Sequence, residues 1–382
     1  MQARQLLLTA ASMTLALSLA PLTLTADERL KHDGEFMVDG MIFGMPEARV
    51  FEEDYDGPPV VGETMTALPH LAPLTHEGNK THEVRLDTFA QKIEVANGKT
   101  FNAWTFGGTV PGPTLHVREG DRVVFTMKNR SDEMVSVTEP VPGGSPFFSQ
   151  LNENNYLKTE PAVSPMPHSM DFHSGTVAAD DKWRTIPPGQ SIEFEWVANY
   201  PGVFMYHCGT PSVLMHTAMG QYGAVVVSPK EGYDTDDQVD REYVIVQSEY
   251  YLRKHGDEYR YDHTAAMNRN PSQVVFNGHV NALNSEPLRA NAGERVRLYL
   301  MNAGPNDTSS FHVIGAIFDR VWYEGNRENE WRGMQTVLLG ASNSAVVEFI
   351  VPEEGSYKLV DHEFADAERG AAGTLIAGPR RQ

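Results

Sequence analysis

The sequence is poor in cysteine and in basic residues. Cys208 is the only cysteine among 382 residues, so no disulfide within the chain can hold the fold together. Lys and Arg total 31 against 51 Asp and Glu, which gives a formal net charge of −20 at pH 7. This acidic balance argues against a nucleic-acid partner, because such proteins carry clustered basic residues. It is compatible with a basic protein partner.

Long apolar runs are also absent after the N terminus. Residues 1–26 have the pattern of a secretory signal peptide: Arg4, the apolar run LLLTAASMTLALSLA and the segment PLTLTA that ends at Ala26. The run is short for a membrane-spanning helix, although an uncleaved anchor is an alternative. We therefore predict an exported mature chain without a membrane span, located in the periplasm if the source is a bacterium.

The chain changes character near residue 82. Residues 27–81 form an acidic extension interrupted by proline and glycine, as in FEEDYDGPPVVGE and ALPHLAPL, and we expect it to pack onto the body of the protein. From His82 onwards, short segments that alternate with period two are separated by turn signals. This pattern is typical of an all-β sandwich.

Four sequence blocks recur in the same order along the chain. The repeats predict two β-sandwich domains, residues 82–230 and 231–382, and the first domain carries an insertion at about residues 130–167. The second copy contains no cysteine. The matching pairs are FGG (106–108) with FNG (276–278), GDRVVFTMKN (120–129) with GERVRLYLMN (293–302), PGVFMYHC (201–208) with EGSYKLVDH (354–362), and GAVVV (223–227) with GTLIA (373–377).

Histidines flank the single cysteine. His207 precedes Cys208, and His216 follows eight residues later. A cysteine thiolate with imidazoles and a weak axial thioether or amide is the ligand set of a blue copper site. Met219 and Gln221 are the two candidates for that axial ligand. The alternative, a small buried cysteine without a ligand role, leaves the concentration of histidine and methionine around it unexplained.

A second histidine pair lies in the segment HSMDFH. In an extended segment alternate side chains face opposite ways, so His168 and His173 point to different faces, and Asp171 shares the face of His173. His207 and Cys208 are adjacent and must also point apart. The two segments can therefore serve two metal ions, and ordinary core histidines are the alternative. One donor set is His168, Cys208, His216 and an axial group, and the other is His173, His207 and Asp171.

The second donor set lacks one ligand. A metal site with an open position normally has three protein ligands, and this set offers only two histidines. His312 in SSFHVIG is the candidate for the third, because the repeat places it where HSMDFH stands in the first copy. The two domains of one chain need not bring His312 close, whereas a neighbouring subunit could supply it.

These motifs resemble those of copper-containing nitrite reductases with two cupredoxin domains. The resemblance rests on FNAWTFGGTVPGP, HSMDFH, PGVFMYHCGTPSVLMH, VVFNGHVNAL, FHVIG and YKLVDHEFADAERGAAG, which lie between residues 82 and 378. It implies an all-β fold of two tandem cupredoxin-like Greek-key β-sandwich domains. It also implies two copper ions per chain, a type 1 copper that faces the electron donor and a type 2 copper that faces nitrite.

The resemblance further implies the roles of individual residues. Asp171 would hydrogen-bond nitrite and pass protons during its one-electron reduction to nitric oxide and water. The chain would form a homotrimer and receive electrons from a small donor protein, a cytochrome c or a blue copper protein. The implied type 1 ligands are His168, Cys208 and His216, and the implied type 2 ligands are His173, His207 and, from the adjacent subunit, His312.

Two positions depart from the family pattern. The family's axial methionine stands five residues after the last type 1 histidine, where this chain has Gln221. We favour Met219 instead, because a thioether suits Cu(I). The family's second catalytic histidine falls in a stretch that reads LNSEPL here, with Glu286 and Pro287 in its place. His279 and Glu286 are the candidates to replace it, and a loop histidine without that role is the alternative for His279.

Two other classes of protein are alternatives. A laccase-like multicopper oxidase would require His-x-His pairs and a His-Cys-His segment, and this chain has neither. A copper electron-transfer or copper-binding protein would keep the ligands without nitrite chemistry, and the missing second catalytic histidine is the reason to consider it. Formation of nitric oxide from nitrite separates that class from a reductase.

Overall fold

The computed structural model describes residues 34–137 and 160–380, in which the chain is mostly β-strand. The predicted signal peptide, residues 1–26, and the middle of the predicted insertion, residues 138–159, lie outside the described residues. No helix in this described part of the chain is long and apolar enough to span a lipid bilayer. The helices are α1 (Ala179–Lys182), α2 (Val213–Ala218), α3 (His263–Met267), α4 (Ala282–Ser285), α5 (Phe364–Arg369) and a 3-10 helix at Asp236–Gln238.

The strands fall into two groups along the chain. The first group is β1 (Phe36–Val38), β2 (Met41–Phe43), β3 (Arg49–Glu52), β4 (Val60–Val61), β5 (Met65–Thr66), β6 (Thr81–Leu86), β7 (Thr88–Ala96), β8 (Lys99–Phe106), β9 (Thr114–Arg118), β10 (Arg122–Lys128), β11 (Glu160–Pro161), β12 (Asp171–Phe172), β13 (Gln190–Val197), β14 (Gly202–His207) and β15 (Tyr222–Ser228). The second group is β16 (Arg241–Tyr250), β17 (Leu252–His255), β18 (Glu258–Tyr261), β19 (Gln273–Phe276), β20 (Leu288–Asn291), β21 (Arg295–Asn302), β22 (Ser309–Val313), β23 (Arg320–Tyr323), β24 (Glu330–Trp331), β25 (Thr336–Leu339), β26 (Ser344–Ile350), β27 (Gly355–Asp361) and β28 (Ala372–Gly378).

The first group forms a sandwich of two five-stranded sheets. One sheet has the order β3-β13-β10-β6-β4 and the other β12-β14-β15-β9-β5, while β11-β7-β8 makes a smaller sheet beside them. Residues of β10 alternate between buried and half-buried because successive side chains face opposite sides of a sheet. The buried face meets the other sheet through aromatic rings, with Phe125 and Phe172 at 4.9 Å between centroids and Phe172 and Tyr206 at 5.7 Å.

The N-terminal extension contributes edge strands to this sandwich. β3 pairs with β13, β4 pairs with β6, and β5 pairs with β9. The described part of the extension is therefore hydrogen-bonded into both sheets, which goes beyond the packing onto the surface that its composition suggests. The domain boundaries at residues 82 and 231 stay predictions.

The second group of strands repeats the topology of the first. β10 is parallel to β6 and antiparallel to β13, and β21 is likewise parallel to β16 and antiparallel to β26. β15 is parallel to β9 and antiparallel to β14, just as β28 is parallel to β20 and antiparallel to β27. These are the strands that carry the repeated sequence blocks. The fold is all-β with two tandem cupredoxin-like Greek-key sandwiches, which confirms the predicted fold class.

A buried apolar cluster joins the two sandwiches. Val203 and Tyr222 of the first sandwich and Trp322 of the second belong to one continuous cluster. Tyr222 Oη also donates a hydrogen bond to Ser248 Oγ across this contact (2.7 Å). Because β14 runs along the joint between the sandwiches, loops of the second sandwich lie close to the residues at its end.

Candidate metal centres

Strand β14 ends in an adjacent histidine and cysteine whose side chains belong to different groups. His207 is its last residue and pairs with Asp171 of β12. Cys208 follows directly and donates its backbone N–H to Gln221 O (3.2 Å). Successive side chains of an extended chain face opposite sides, so Cys208 points into the core of the sandwich while His207 lines a cavity.

Four donor atoms converge inside the first sandwich, and we call their residues the first donor set. His168 Nδ1 and His216 Nδ1 lie 3.2 Å apart, and Cys208 Sγ lies 3.2 Å from His216 Nδ1. Gln221 Oε1 lies 3.0 Å from the same histidine nitrogen. All four side chains are buried. Two imidazole nitrogens that face each other beside a thiol and an amide oxygen fit a copper ion of the blue type.

The structure places Gln221, rather than Met219, beside the first donor set. Met219 caps the C terminus of α2, its N–H bonds Met215 O (2.8 Å), and its side chain packs against the apolar cluster between the sandwiches. The side chain of Gln221 turns inward two residues later. Its Nε2 donates to Thr88 Oγ1 (2.7 Å), which leaves Oε1 facing His216. This geometry reverses the preference for Met219 drawn from the sequence.

Neighbouring groups favour the protonation states that bind a metal. Burial raises the pKa of Cys208, but hydrogen bonds to its sulfur, first that of His168 and then those of Ser169 and Thr210, outweigh burial and hold that pKa below its ordinary value. Ser169 N lies 3.4 Å from Cys208 Sγ. Burial lowers the pKa of both His168 and His216, and the ring of Trp104 packs against both. A thiolate and neutral imidazoles are the forms that coordinate metal ions.

His173, His207 and Asp171 form a second donor set on the other side of β14. His173 Nε2 and His207 Nε2 lie 3.0 Å apart. His207 Nδ1 donates to Cys208 O (2.9 Å), which leaves Nε2 as the nitrogen that can face a metal ion. Asp171 Oδ2 lies 3.7 Å from His207 Nε2, and its buried Oδ1 has no hydrogen-bond partner among the described residues. Two imidazoles with a carboxylate beside them fit a metal ion that acts on a small substrate.

The two histidines of the second donor set line a cavity of about 350 Å³ that both sandwiches border. His173 and His207 belong to its wall on one side, and Pro305 and Asn306 of the second sandwich belong to the other. Burial raises the pKa of Asp171, although the charge of His207 opposes this shift. A carboxyl group with a raised pKa can hold a proton at the edge of the site.

A buried carboxyl group in the second sandwich supports the cavity wall. Glu249 Oε1 accepts hydrogen bonds from the backbone N–H groups of Asn306 (3.1 Å) and Asp307 (2.7 Å). Tyr251 Oη donates to Glu249 Oε2 and accepts from Asn306 Nδ2 (2.8 Å). Burial raises the pKa of Glu249 to about 7. Hydrogen bonds to the buried side chains of Glu249 and Tyr251 therefore hold the loop that carries Asn306 in place.

His312 occupies the place that the sequence repeat predicts. It lies on β22, whose pairing with β27 corresponds to the pairing of β12 with β14. Its Nδ1 donates to the carbonyl oxygen of Gln335, which leaves Nε2 as the nitrogen that can face a metal ion. Within one chain, however, the described residues grouped with His173 and His207 include Asp171 and not His312.

The two candidates for a second catalytic acid lie elsewhere in the second sandwich. His279 is buried, and its Nδ1 accepts from Asn281 N (3.0 Å). Burial lowers the pKa of His279, and Glu94 of the first sandwich opposes this shift. Glu286 caps the C terminus of α4. Neither candidate belongs to the group of described residues around His173 and His207 within one chain.

Residue spacing does not reveal the side chains that hold the first donor set. Thr88 on β7 and Trp104 on β8 are far from Gln221 and His216 in sequence, and only the fold brings them together. Ser169 is an exception, because it directly follows the candidate ligand His168, and the sequence alone could therefore suggest that it lies near the first donor set. Its Oγ accepts from Gly209 N (3.0 Å) and thereby ties the two ligand-bearing segments to each other.

Comparisons with known proteins agree with this geometry. Residues 88–139 and residues 160–231 match two models of the multicopper oxidase family. These matches agree with the two cupredoxin-like sandwiches and with a donor set that fits copper, so the chain is a copper protein built from cupredoxin-like domains.

Individual relatives are more specific. A copper-containing nitrite reductase of Neisseria meningitidis (strain DSM 15465 / Z2491) is 36% identical over 325 residues, which cover 83% of this chain and 75% of that protein. A copper-containing nitrite reductase of Pseudomonas chlororaphis is 31% identical over 313 residues, which cover 76% of this chain and 77% of that protein. The solved copper nitrite reductase of Nitrosomonas europaea superposes with a TM-score of 0.63 at 35% identity, covering 79% of this chain and 94% of that one. The chain belongs to the copper-containing nitrite reductases and is therefore a copper-dependent oxidoreductase.

Proposed function

We propose that this protein reduces nitrite by one electron to nitric oxide and water, consuming two protons. The first donor set would hold a type 1 copper through His168, Cys208 and His216, with Gln221 as the axial ligand. The second would hold a type 2 copper through His173, His207 and His312 of a neighbouring subunit. When bound there, copper would supply a Lewis acid for a nitrite oxygen and a one-electron reductant.

The observation that carries the proposal is the position of His207 and Cys208. The two residues are adjacent at the end of β14, yet their side chains belong to different donor sets. A single peptide therefore links a buried thiolate, which suits electron entry, to a histidine at the wall of a cavity. This arrangement gives an electron a short covalent route from the buried first donor set, which has no room for substrate, to the second donor set, which lies at a cavity.

Asp171 is the proton-handling residue in this proposal. Its Oδ1 is buried and has no hydrogen-bond partner among the described residues, which leaves it able to accept a hydrogen bond from a further group. Its Oδ2 faces His207 at 3.7 Å, which places the carboxyl group beside the metal-binding nitrogens. A positioned acid contributes directly here, because loss of one nitrite oxygen as water requires protons. His279 and Glu286 are the candidates for a second acid, although neither is grouped with His173 and His207 among the described residues of one chain.

The outer face of the second sandwich supports a homotrimer. His312 and Leu338 lie on the outward face of the β22–β25 pair, because the paired strands alternate inward and outward residues, and Ile314 follows directly after β22. Ile314 is 48% exposed and Leu338 is 59% exposed in one chain. Apolar side chains around an outward histidine are the composition expected of a surface that another subunit covers. Such a contact would bring His312 to the second donor set of its neighbour.

The proposal includes export and a protein electron donor. Export to the periplasm rests on the composition of residues 1–26, which lie outside the described part of the chain. The net charge of −20 favours a donor with a basic docking face. A small cytochrome c or a blue copper protein fits this role.

Formation of nitric oxide from nitrite by the copper-loaded protein, with an artificial electron donor and no oxygen, tests the proposal. We expect continuous production that requires both nitrite and the donor. A protein that takes up and releases one electron without producing nitric oxide would instead be an electron-transfer protein. Oxygen consumption without nitrite turnover would instead indicate a laccase-like oxidase.

A further inference from the structure

We propose that His76, His82 and Asp121 form a third metal site, for a divalent cation such as Zn²⁺, that fastens the N-terminal extension to the first sandwich. The three residues belong to neither donor set described above. Their ligand atoms all lie within 4.8 Å of one another. The proposal concerns a separate part of the chain and does not depend on nitrite chemistry.

Strand register explains why residues so distant in sequence meet. β6 and β10 are parallel, with Thr81 paired to Arg122 and His82 paired to Val123. Asp121, in the turn just before β10, therefore lies beside the start of β6. His76 belongs to the last segment of the extension, six residues before His82. A cation held by all three would link the extension, β6 and the turn before β10.

Both histidine nitrogens converge on one carboxylate oxygen. His76 Nε2 lies 2.9 Å and His82 Nε2 lies 2.8 Å from the same oxygen, Asp121 Oδ2. The two rings are 5.3 Å apart and pack edge to face. Tetrahedral zinc with bonds of about 2.0–2.1 Å separates its ligand atoms by about 3.3 Å. The two nitrogen–oxygen distances are a few tenths of an ångström shorter than such a site requires, so both rings must turn slightly away from the oxygen to admit the ion.

The carboxylate is already fixed in position. Asp121 Oδ1 accepts the backbone N–H of Lys80 (2.8 Å), and Oδ2 accepts the backbone N–H of Arg118 (2.9 Å). Asp121 is fully buried. Its orientation therefore follows from the backbone around it and not from a bound ion. A site whose ligand is held in advance loses less conformational entropy when it binds metal.

The ligand types indicate the class of metal. Two imidazoles and one carboxylate suit Zn²⁺ or Cu²⁺, whereas Cu(I) prefers sulfur and Mg²⁺ or Ca²⁺ prefer oxygen. The side chain of His76 is 15% exposed, against 2% for His82 and none for Asp121. The cation would enter from the side of His76, where water can complete its coordination. We assign the metal ion a structural role, because its site joins the N-terminal extension to the first sandwich.

Zinc binding by the full mature chain, with its copper sites loaded first, tests this proposal. The protein is equilibrated with Zn²⁺, freed of loosely bound metal, and analysed for zinc and copper by mass spectrometry. The variant is His76→Gln, because this ring is the most exposed of the three ligands and can be replaced without removing the buried carboxylate. His255→Gln is the matched control, since His255 is an exposed histidine at the end of β17.

We expect wild type and His255→Gln to retain one more zinc per chain than His76→Gln, with equal copper in all three proteins. Zinc affinity in His76→Gln should fall by more than about 100-fold. Loss of a residue that only hydrogen-bonds to a metal ligand already costs about 10–100-fold in affinity, and His76 is itself a proposed ligand. Zinc should also raise the melting temperature of wild type but not of His76→Gln. Equal zinc in wild type and His76→Gln, or no retained zinc in either, would overturn the proposal.

Discussion

Gln221 Nε2 donates a 2.7 Å hydrogen bond to Thr88 Oγ1, and this bond determines which end of the amide faces the first donor set. Thr88 Oγ1 in turn donates to Thr105 O (3.0 Å), so it has one lone pair directed at the amide and acts there as an acceptor. The amide oxygen of Gln221 is consequently left 3.0 Å from His216 Nδ1. A β7 residue thus orients a group more than a hundred residues away.

The first prediction concerns the axial ligand. Replacing Gln221 by Met should raise the reduction potential of the type 1 copper and shift its visible spectrum, because an amide oxygen favours Cu(II) and a thioether favours Cu(I). Met219→Leu should leave both properties unchanged, since Met219 packs against the cluster between the sandwiches. Potentiometric titration measures the difference. A shift in Met219→Leu with none in Gln221→Met would show that Met219 is the ligand.

The second prediction concerns the thiolate. Cys208→Ala should abolish the intense visible absorption and the type 1 copper while the second copper stays bound, because the second donor set does not include the sulfur. Absorption spectroscopy and copper analysis measure the two effects. Ser169→Ala is a milder companion, which should shift the absorption band without removing it, since the Ser169 hydroxyl lies near the sulfur but is not a proposed ligand. A thiolate band that survives in Cys208→Ala would contradict the assignment.

The third prediction concerns the subunit interface. His312→Ala should lower the occupancy of the type 2 copper strongly and leave the type 1 spectrum unchanged, because His312 lies on the outer face of the second sandwich. His362→Ala is the control, since its ring lies 5.7 Å from that of His312 but is not a proposed ligand. Sedimentation should show a trimer for all three proteins. A monomer with a full type 2 site would refute the shared site.

The fourth prediction is a pH dependence of stability. Burial raises the pKa of Glu249 from the ordinary value of 4.5 to about 7. The folded protein therefore binds this proton more tightly than the unfolded chain does. The contribution of Glu249 to stability falls as the pH rises from about 4.5 to about 7, by about 3 kcal/mol in total.

Unfolding by denaturant across this pH range tests the fourth prediction. Glu249→Gln cannot ionise, so its stability relative to wild type should increase as the pH rises. Glu354→Gln is the control, because Glu354 is exposed in the turn before β27. If wild type and Glu249→Gln keep a constant difference from pH 5 to pH 8, Glu249 does not titrate as described.

Much of this architecture is predictable from the sequence because the sandwich is built from repeated, alternating segments. The block around GDRVVFTMKN becomes β10 and its counterpart becomes β21, in equivalent positions. The separation of His207 and Cys208 into different groups also follows from the alternation of an extended chain.

Other features depend on contacts that no local pattern encodes. The choice of Gln221 over Met219 depends on where α2 ends and on a partner, Thr88, from another strand. The group of His76, His82 and Asp121 depends on the parallel pairing of β6 with β10. The contacts of His279 follow from the packing of the two sandwiches against each other. In each case the sequence separation exceeds the range over which periodicity carries information.

Production of labelled nitric oxide from ¹⁵N-nitrite, measured by mass spectrometry for wild type, Asp171→Asn and Asp180→Asn, tests the central claim most directly. Asp180 is an exposed carboxylate on α1 and serves as the control. The account predicts ¹⁵NO from wild type and from Asp180→Asn, and a rate about 10²–10⁴-fold lower from Asp171→Asn with both coppers retained. Absence of ¹⁵NO from wild type with both coppers loaded would contradict the account.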